Sequence, residues 1–551
     1  MRNSLSVVYD FVNKHTYLIL LTLFVIWVLV GVFPLLCYEA DGMEITLGCE
    51  IMYREGWSFP PIYSYEYRMQ PLITILIVAF RHLLPFFTCE QIYCVFTALS
   101  SVVFLIGCVE FGRHIVKTSR IKILIAAMLL PEMYAIAMYS NSAIPSAACF
   151  IWALLLITRH KYWQSIMLMC IGVWFRIDIV TVYPVILPLL YYEGFSFKKS
   201  FEISSIYAVS IVGFSVFGFW LMNAEALGTF GSYERWSDII TPILRFYAIY
   251  GFYSLSYFIL LPIGISVIAF QKRWKELFLV LLPILLIHIV MSEFGNASKH
   301  FLYNAPFVVI AGVRALLWVE EKICNRPIIK WTVIGLTLLF FTVSIRRKQL
   351  DIPWLQKVPL HNAGIVAPLA SINLGNSDIA LAIGAGPQVI TRDEYMLGSG
   401  HFFYSWYIHC VKCIMEGWRC QQKTVLDKAP SANILTLEYS TAAPLVSKYL
   451  SEGYRFRIRK DMPNKYYYTI YNKDRYLHYW RVYLTEEEHS SQKVLSYIDS
   501  LSQGFTKGDD YIMSSMEHFG TERFLDEIAE TGRIEKKAPR LYKIINQKKS
   551  Q

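Results

Sequence analysis

The sequence predicts a polytopic α-helical membrane protein that ends in a soluble α/β domain, and three observations predict it. Tyr17 to Cys37, YLILLTLFVIWVLVGVFPLLC, carries no charge over 21 residues, and about 20 apolar residues suffice to cross a hydrocarbon core of about 30 Å. Further apolar runs follow to about residue 345, separated by short clusters of Lys and Arg. From Arg346 onward the chain is more charged and shows mixed strand and helix patterns. Across the 551 residues, 55% are hydrophobic and 17% charged at a mean hydropathy of +0.39, outside the range of ordinary soluble domains. The net charge of +10 does not point to nucleic acid, because much of it sits in the short clusters, where it sets membrane orientation.

The first run follows Arg2 and Lys14, is too long for a signal-peptide core and is followed by no small-residue cleavage site. It reads as a retained helix with a cytoplasmic N-terminus. Later candidate spans are 92–111, 121–138, 145–158, 164–176, 179–192, 203–222, 246–270, 277–291, 304–319 and 331–345, eleven crossings in all. The segment 72–87, LITILIVAFRHLLPFF, decides the topology. With 16 residues and Arg81-His82 inside it, it reads as a helix lying along the outer interface. The clusters Arg113/His114/Lys117/Arg120/Lys122, Arg159/His160/Lys161, Lys198/Lys199, Lys272/Arg273/Lys275 and Arg314/Lys322/Arg326/Lys330 then all face the cytoplasm. The loops 38–91, 222–245 and 292–304 share the other face with everything after Arg346. The expectation is a multi-pass plasma (inner) membrane protein with a membrane module over 1–345 and a periplasmic or extracytoplasmic α/β domain over 346–551. In that domain 433–439 and 465–472 read as strands, 443–454 as a helix and 491–532 as helices interrupted by Gly.

The first outer loop holds the richest chemistry. Between Tyr38 and Pro71 it offers Glu39, Asp41, Glu44, Glu50, Glu55, Glu66, Arg54 and Arg68 among Trp57, Phe59, Tyr63, Tyr65 and Tyr67. Met43, Leu47 and Ile51 with the Ile45/Met52 pair predict a short helix resting on the interface, ended by Gly56. The prolines after it force an extended path. Chemistry on a lipid-linked substrate would need a carboxylate to take a proton, a cation to hold a phosphate and an apolar groove for the lipid. Asp41 can be the base, Arg68 or Arg81 and His82 the cation, and 72–87 the groove. The competing reading is that Asp41 only caps the loop helix.

Asp41 stands fifteen residues before Gly56-Trp57, with Pro60-Pro61 following and Tyr67-Arg68-Met69-Gln70-Pro71-Leu72 closing the loop. This spacing resembles the first outer loop of the GT-C superfamily of membrane glycosyltransferases, in the branch of protein O-mannosyltransferases and aminoarabinose transferases that use polyprenyl-phosphate sugars. Weaker similarities continue at Pro131, Pro145, GVWFRID (172–178) and KHFLYNAPFVVIAG (299–312). The resemblance implies a GT-C fold with about eleven membrane helices and gives Asp41 the role of catalytic base. It implies Glu39, Glu44, Trp57, Tyr65 and Tyr67 as loop support. Gly42 stands where the family usually has Glu, Gln70 where Lys is common, and Ala143 where many members carry Asp. Arg68 is therefore the expected phosphate ligand.

Arg176 and Asp178, at the outer end of a span, read either as a substrate contact or as a structural pair. Lys299 and His300 either meet the donor phosphate or snorkel to the interface. All but three of the 11 cysteines lie in or beside apolar runs, where a free Cys acts as a small hydrophobe. Cys410, Cys413 and Cys420, near His409, fit a disulfide in an oxidising compartment better than a zinc site. No metal site is expected and no cofactor is required, since Arg or Lys can neutralise a leaving phosphate; a divalent metal is compatible with the chemistry but not indicated.

The resulting expectation is a glycosyltransferase that moves a hexosyl or pentosyl unit, with inversion, from a polyprenyl-phosphate donor to an acceptor hydroxyl on the outer face. The partners are the lipid-linked sugar, a glycan, lipid or protein acceptor, and membrane lipid. A transporter or flippase of a lipid-linked glycan is the alternative from another class. A polysaccharide polymerase or ligase using a lipid-diphosphate donor is the alternative among enzymes.

Overall fold

The computed structural model describes residues 2–27, 40–56, 70–130, 133, 141–221, 255–293, 298–323, 335, 419–437, 443–458, 467–481, 491–501, 508–514 and 519–545. The first helix, α1 (Arg2–Trp27), breaks helical geometry at His15. After it come α2 (Ala40–Glu55), α3 (Pro71–Leu83), α4 (Cys89–Val116), α5 (Arg120–Met128), α6 (Ala143–Thr158) and α7 (Tyr162–Phe175). The helical part continues with α8 (Ile186–Tyr192), α9 (Phe197–Leu221), α10 (Leu255–Phe270), α11 (Trp274–Glu293) and α12 (Ala305–Ile323). Among the described residues, Cys89–Val116, Phe197–Gly218 and Phe301–Lys322 are long and apolar enough to cross a membrane by themselves. Other expected spans are shorter apolar helices, as at Ala143–Thr158, or run into 28–39, 222–254 and 324–345, which save Gly335 lie outside the described residues.

Local chemistry accounts for the ends of α4. Thr88 accepts the N–H of Gln91 at 3.2 Å, and the Gln91 side chain accepts the N–H of Thr88 at 3.0 Å, a reciprocal cap that satisfies two otherwise orphaned donors. The expected span 179–192 differs from its reading. It opens as 3-10 turns, Ile177–Thr181 and Tyr183–Val185, and only then becomes α8. The β-branched Ile177, Ile179, Val180, Thr181 and Val182 lose side-chain freedom in an α-helix, and Pro184 biases the residue before it away from helical angles.

Close packing needs small residues where helices cross. A Cβ added to Gly264 of α10 would lie 2.0 Å from the carbonyl oxygen of Ala311 in α12. Only glycine lets the two backbones approach so closely.

The C-terminal part is a mixed seven-stranded sheet in the order β2-β3-β4-β1-β5-β7-β6. Its strands are β1 (Ser431–Thr436), β2 (Arg455–Ile458), β3 (Tyr467–Asn472), β4 (Arg475–Arg481), β5 (Asp509–Met513), β6 (Ile534–Ala538) and β7 (Leu541–Ile544). A helix over 419–427 precedes β1. β1 runs parallel to β4 and β5, and the other pairings are antiparallel. Along β1 the side chains alternate: Ile434 joins the core that continues into the membrane helices, while Leu435 joins a second core with Val494, Ile498, Leu525 and Ile528. The expected strands at 433–439 and 465–472 and the helix at 443–454 are present as β1, β3 and α13 (Ala443–Ser451). The all-helical reading of 491–532 is corrected: β5 lies between α14 (Ser491–Leu501) and α15 (Phe519–Glu530).

Candidate active site

The loop helix forms as its spacing predicts, but its surroundings differ. α2 packs against α3 and the start of α4 on one side, and against α13 and β2 of the C-terminal part on the other. Every residue from Ile45 to Met52 is buried, so the expected interfacial helix is instead a wedge inside the protein. That explains apolar residues on more than one of its faces. Gly56 ends α2 at φ +107°, its N–H donating to the Met52 carbonyl at 3.1 Å. This left-handed cap favours glycine.

Among the described side chains of α2, Glu50 anchors the wedge to α4. It is fully buried, and its Oε1 accepts the N–H of Cys89 at 2.9 Å and lies 3.8 Å from Arg81 Nε. Burial pushes the Glu50 carboxyl above the usual carboxylate range, while the Cys89 N–H and Arg81 pull it back. Arg81 also donates to the Pro85 carbonyl, and its guanidinium lies 4.6 Å from the centre of the Tyr53 ring. His82 is exposed and meets the same ring at 4.7 Å. Near the start of α3 the Thr74 carbonyl receives the Cys49 thiol at 3.8 Å. Thr74 and Arg81 thus meet adjacent residues of α2, so α3 lies across α2.

Asp41 lies in the first turn of α2, one residue inside the helix and not at the capping position before it. At 1.5 Å per residue it is about 13 Å along the helix from Glu50. Arg81 and His82 therefore gather at the opposite half of α2 from Asp41. Glu39, Trp57, Tyr65, Tyr67 and Arg68 lie outside the described residues, as do the side chains of Asp41, Glu44, Asp178, Lys299 and His300.

The membrane helices add a second polar group at this end of the bundle. Arg176 closes α7 in extended backbone, is buried, and donates from Nη1 to Ser142 Oγ at 3.3 Å. Ser146 donates to the Gly172 carbonyl at 3.0 Å and receives Tyr303 OH at 2.9 Å. Tyr303 belongs to the 3-10 turn Ser298–Asn304, which also holds Lys299 and His300. Ser146 also lies 3.4 Å from the Arg176 carbonyl, so the fold brings Tyr303, which follows 299–300 in sequence, and Arg176 together at Ser146. Ser142, Ser146 and Tyr303 were missed by sequence reasoning, because small hydroxyls inside apolar runs carry no distinctive pattern.

The C-terminal part is clamped onto this end. Arg54 of α2 donates to the Ser451 carbonyl at 2.7 Å, and the buried Arg419 pairs with Glu90 of α4 at 3.3 Å. The Cys420 sulfur accepts from Lys448 Nζ at 3.4 Å, whereas Cys410 and Cys413 lie outside the described residues. Among the described residues no group of three or more His, Cys, Asp or Glu could hold a metal ion.

No protein-family model matches the sequence, and no curated protein matches it. Solved structures do. They share its fold, a helical bundle followed by a C-terminal sheet domain. One protein it is similar to along nearly its whole length is ArnT from Cupriavidus metallidurans. The apo form aligns at a TM-score of 0.57 and 11% identity, over 96% of this chain and 98% of ArnT. The form bound to undecaprenyl phosphate aligns at 0.55 and 12% over the same shares. An oligosaccharyltransferase from Archaeoglobus fulgidus, tethered by a disulfide bond to an acceptor peptide with the NVT sequon, aligns at 0.40 and 10%, over 80% of this chain and 63% of that one.

Proposed function

We propose that the protein is a membrane glycosyltransferase that moves a monosaccharide from a polyprenyl-phosphate donor to an acceptor hydroxyl. The observation that carries this reading is the end-to-end likeness to ArnT, a protein solved with undecaprenyl phosphate bound, in a chain whose first loop carries the Asp41 to Gly56-Trp57 spacing. Asp41 is the general base. Asp41 belongs to the first turn of α2, the end of a helix at which the dipole favours negative charge. It takes the proton of the acceptor hydroxyl as that oxygen attacks the anomeric carbon. The bond from that carbon to the phosphate oxygen breaks, the lipid phosphate leaves, and the configuration inverts. Arg68 from the loop, with Arg176, Lys299 and His300 from the bundle, neutralises the leaving phosphate; charge-assisted hydrogen bonds of this kind are about twice as strong as neutral ones. Arg81 and Glu50 hold α2 in position. Residues 1–345 form the membrane module and 346–551 the outer domain, the N-terminus is cytoplasmic, and the end bearing α2 faces outward. A cysteine introduced at Glu452 should then react with an impermeant maleimide from outside, and one at Lys117 should not.

The test supplies the purified full chain with a panel of polyprenyl-phosphate sugars and follows release of the lipid phosphate. One donor should turn over, and Asp41→Asn should lower the rate about 10²- to 10⁴-fold with donor binding retained. Equal turnover by the variant removes Asp41 as the base. Failure of every donor, with a lipid-linked glycan instead crossing a vesicle membrane, makes the protein a transporter.

A further inference from the structure

We propose a second anion site at the end of the bundle opposite α2, built to take one phosphodiester headgroup. A cavity of about 360 Å³ lies there, lined by Glu110, Arg113, His114 and Lys117 of α4 and its cap, and by Leu155, Thr158 and Arg159 at the end of α6. Arg113 is 24 residues along α4 from Cys89, about 36 Å at helical rise, so the cavity is separate from the group around α2.

The charges there do not cancel. Glu110 is taken by Arg120 at 2.9 Å and Arg113 at 3.6 Å, and His114 by Glu193 at 2.9 Å. Among the described residues, Lys117 and Arg159 have no side-chain partner, and both are exposed to the cavity. Arg113, Lys117 and Arg159 against Glu110 leave a formal charge of +2 with His114 neutral. Two helix C-termini open here, each worth about half a negative charge, which leaves roughly +1. One phosphodiester monoanion balances it. A purely structural role for these cations, offsetting the helix dipoles, would leave neither the surplus nor a cavity of ligand size. The surroundings fit a bilayer boundary: Trp163, on the first turn of α7, is 76% exposed, and exposed tryptophan is enriched at headgroup depth. A lipid headgroup and a soluble phosphate share the required chemistry.

Native mass spectrometry of the full chain in detergent tests this by titration with phosphatidylglycerol. One lipid should bind saturably, with phosphatidylcholine at least about tenfold weaker. Each cation near a membrane surface contributes about fivefold, so Lys117→Ala with Arg159→Ala should weaken binding about thirtyfold. Lys117→Arg with Arg159→Lys should restore it, and Lys198→Ala, outside the cavity, should change nothing. Competition by millimolar inorganic phosphate would support the site with free phosphate as its ligand; resistance would support it with the lipid as ligand. Phosphatidylglycerol binding that survives the double alanine variant, or that Lys198→Ala weakens as much, overturns the proposal.

Discussion

The two ends of the helical bundle solve the problem of polar groups beside a membrane in different ways. At the α2 end, Ser142, Ser146 and Tyr303 offer hydroxyls beside the buried Arg176, and the charged pairs Glu50 with Arg81 and Glu90 with Arg419 are sealed inside protein. At the other end carboxylates meet cations directly: Glu110 with Arg120, Glu193 with His114, Glu320 with Lys122, and Glu276 with Arg314 through two contacts at 2.7 and 2.9 Å. Among the described residues, basic side chains from separate parts of the chain, Arg113, His114, Lys122, Arg273 and Arg314, thus meet carboxylates at this end. The difference teaches that what an ion pair is worth here depends on its burial and not on its end of the molecule.

The strongest break of that comparison is Glu50→Ala. It strands Arg81 in a fully buried setting and removes the acceptor for the Cys89 N–H. Removing one partner of a buried pair costs about 3–5 kcal/mol. Thermal unfolding in detergent should show a large fall in Tm, and proteolysis should show the C-terminal part loosened, because α2 links it to α4. Arg314→Ala, which breaks the buried fork to Glu276 at the other end, should cost about as much. A small loss for Glu50→Ala beside a large one for Arg314→Ala would mean the α2 wedge is held by packing alone.

Much of this arrangement was legible beforehand, and the failures have physical causes. The loop helix, its Gly56 stop and the gathering of basic residues at one end follow from periodicity, backbone preference and charge, which are local. The burial of α2 was not local, since its second apolar face made sense only once α13 and β2 covered it. Glu50 could have been singled out, as the only charge in the run Ile45 to Met52. β5 was lost because Asp509-Asp510 opens it and strand signals weaken where one face is covered by helices. The edge pair β6 and β7 was missed for a related reason: Glu535, Lys536 and Lys537 give an exposed, charged strand.

Acidity separates two carboxylates with opposite environments. Glu50 is pushed up by burial, so the folded state binds its proton more tightly than the unfolded chain does. Its contribution is full below the ordinary value of 4.5 and is lost as pH rises through the folded value. Asp427, in the C-terminal part, is the reverse. Burial alone would raise it, but hydrogen bonds from Lys423, Arg475 and Tyr449 outweigh burial and hold it below its ordinary 3.8. Its contribution is full above that value and disappears as pH falls through the folded one. In a series of Tm against pH, Glu50→Gln should flatten the decline above about pH 4.5 and Asp427→Asn the decline below about pH 4. Identical slopes in wild type and Glu50→Gln would mean that the carboxyl titrates as it does in the unfolded chain.

The smallest effect belongs to Lys122→Ala. Lys122 and Glu320 make the shorter contact, 2.6 Å against 3.8 Å for Arg81 and Glu50, yet their side chains are 35% and 57% exposed. Water screens such a pair and both long side chains lose freedom in forming it, so its net worth is about 0.2–1 kcal/mol. The Tm of Lys122→Ala should fall by only a small fraction of the Glu50→Ala loss. Raising salt to 1 M, where the Debye length is about 3 Å, should abolish that small difference and leave the Glu50→Ala loss standing. A salt-insensitive penalty for Lys122→Ala would mean that the pair is desolvated by membrane lipid, and the contrast between exposed and buried pairs would then have to be drawn by depth in the bilayer.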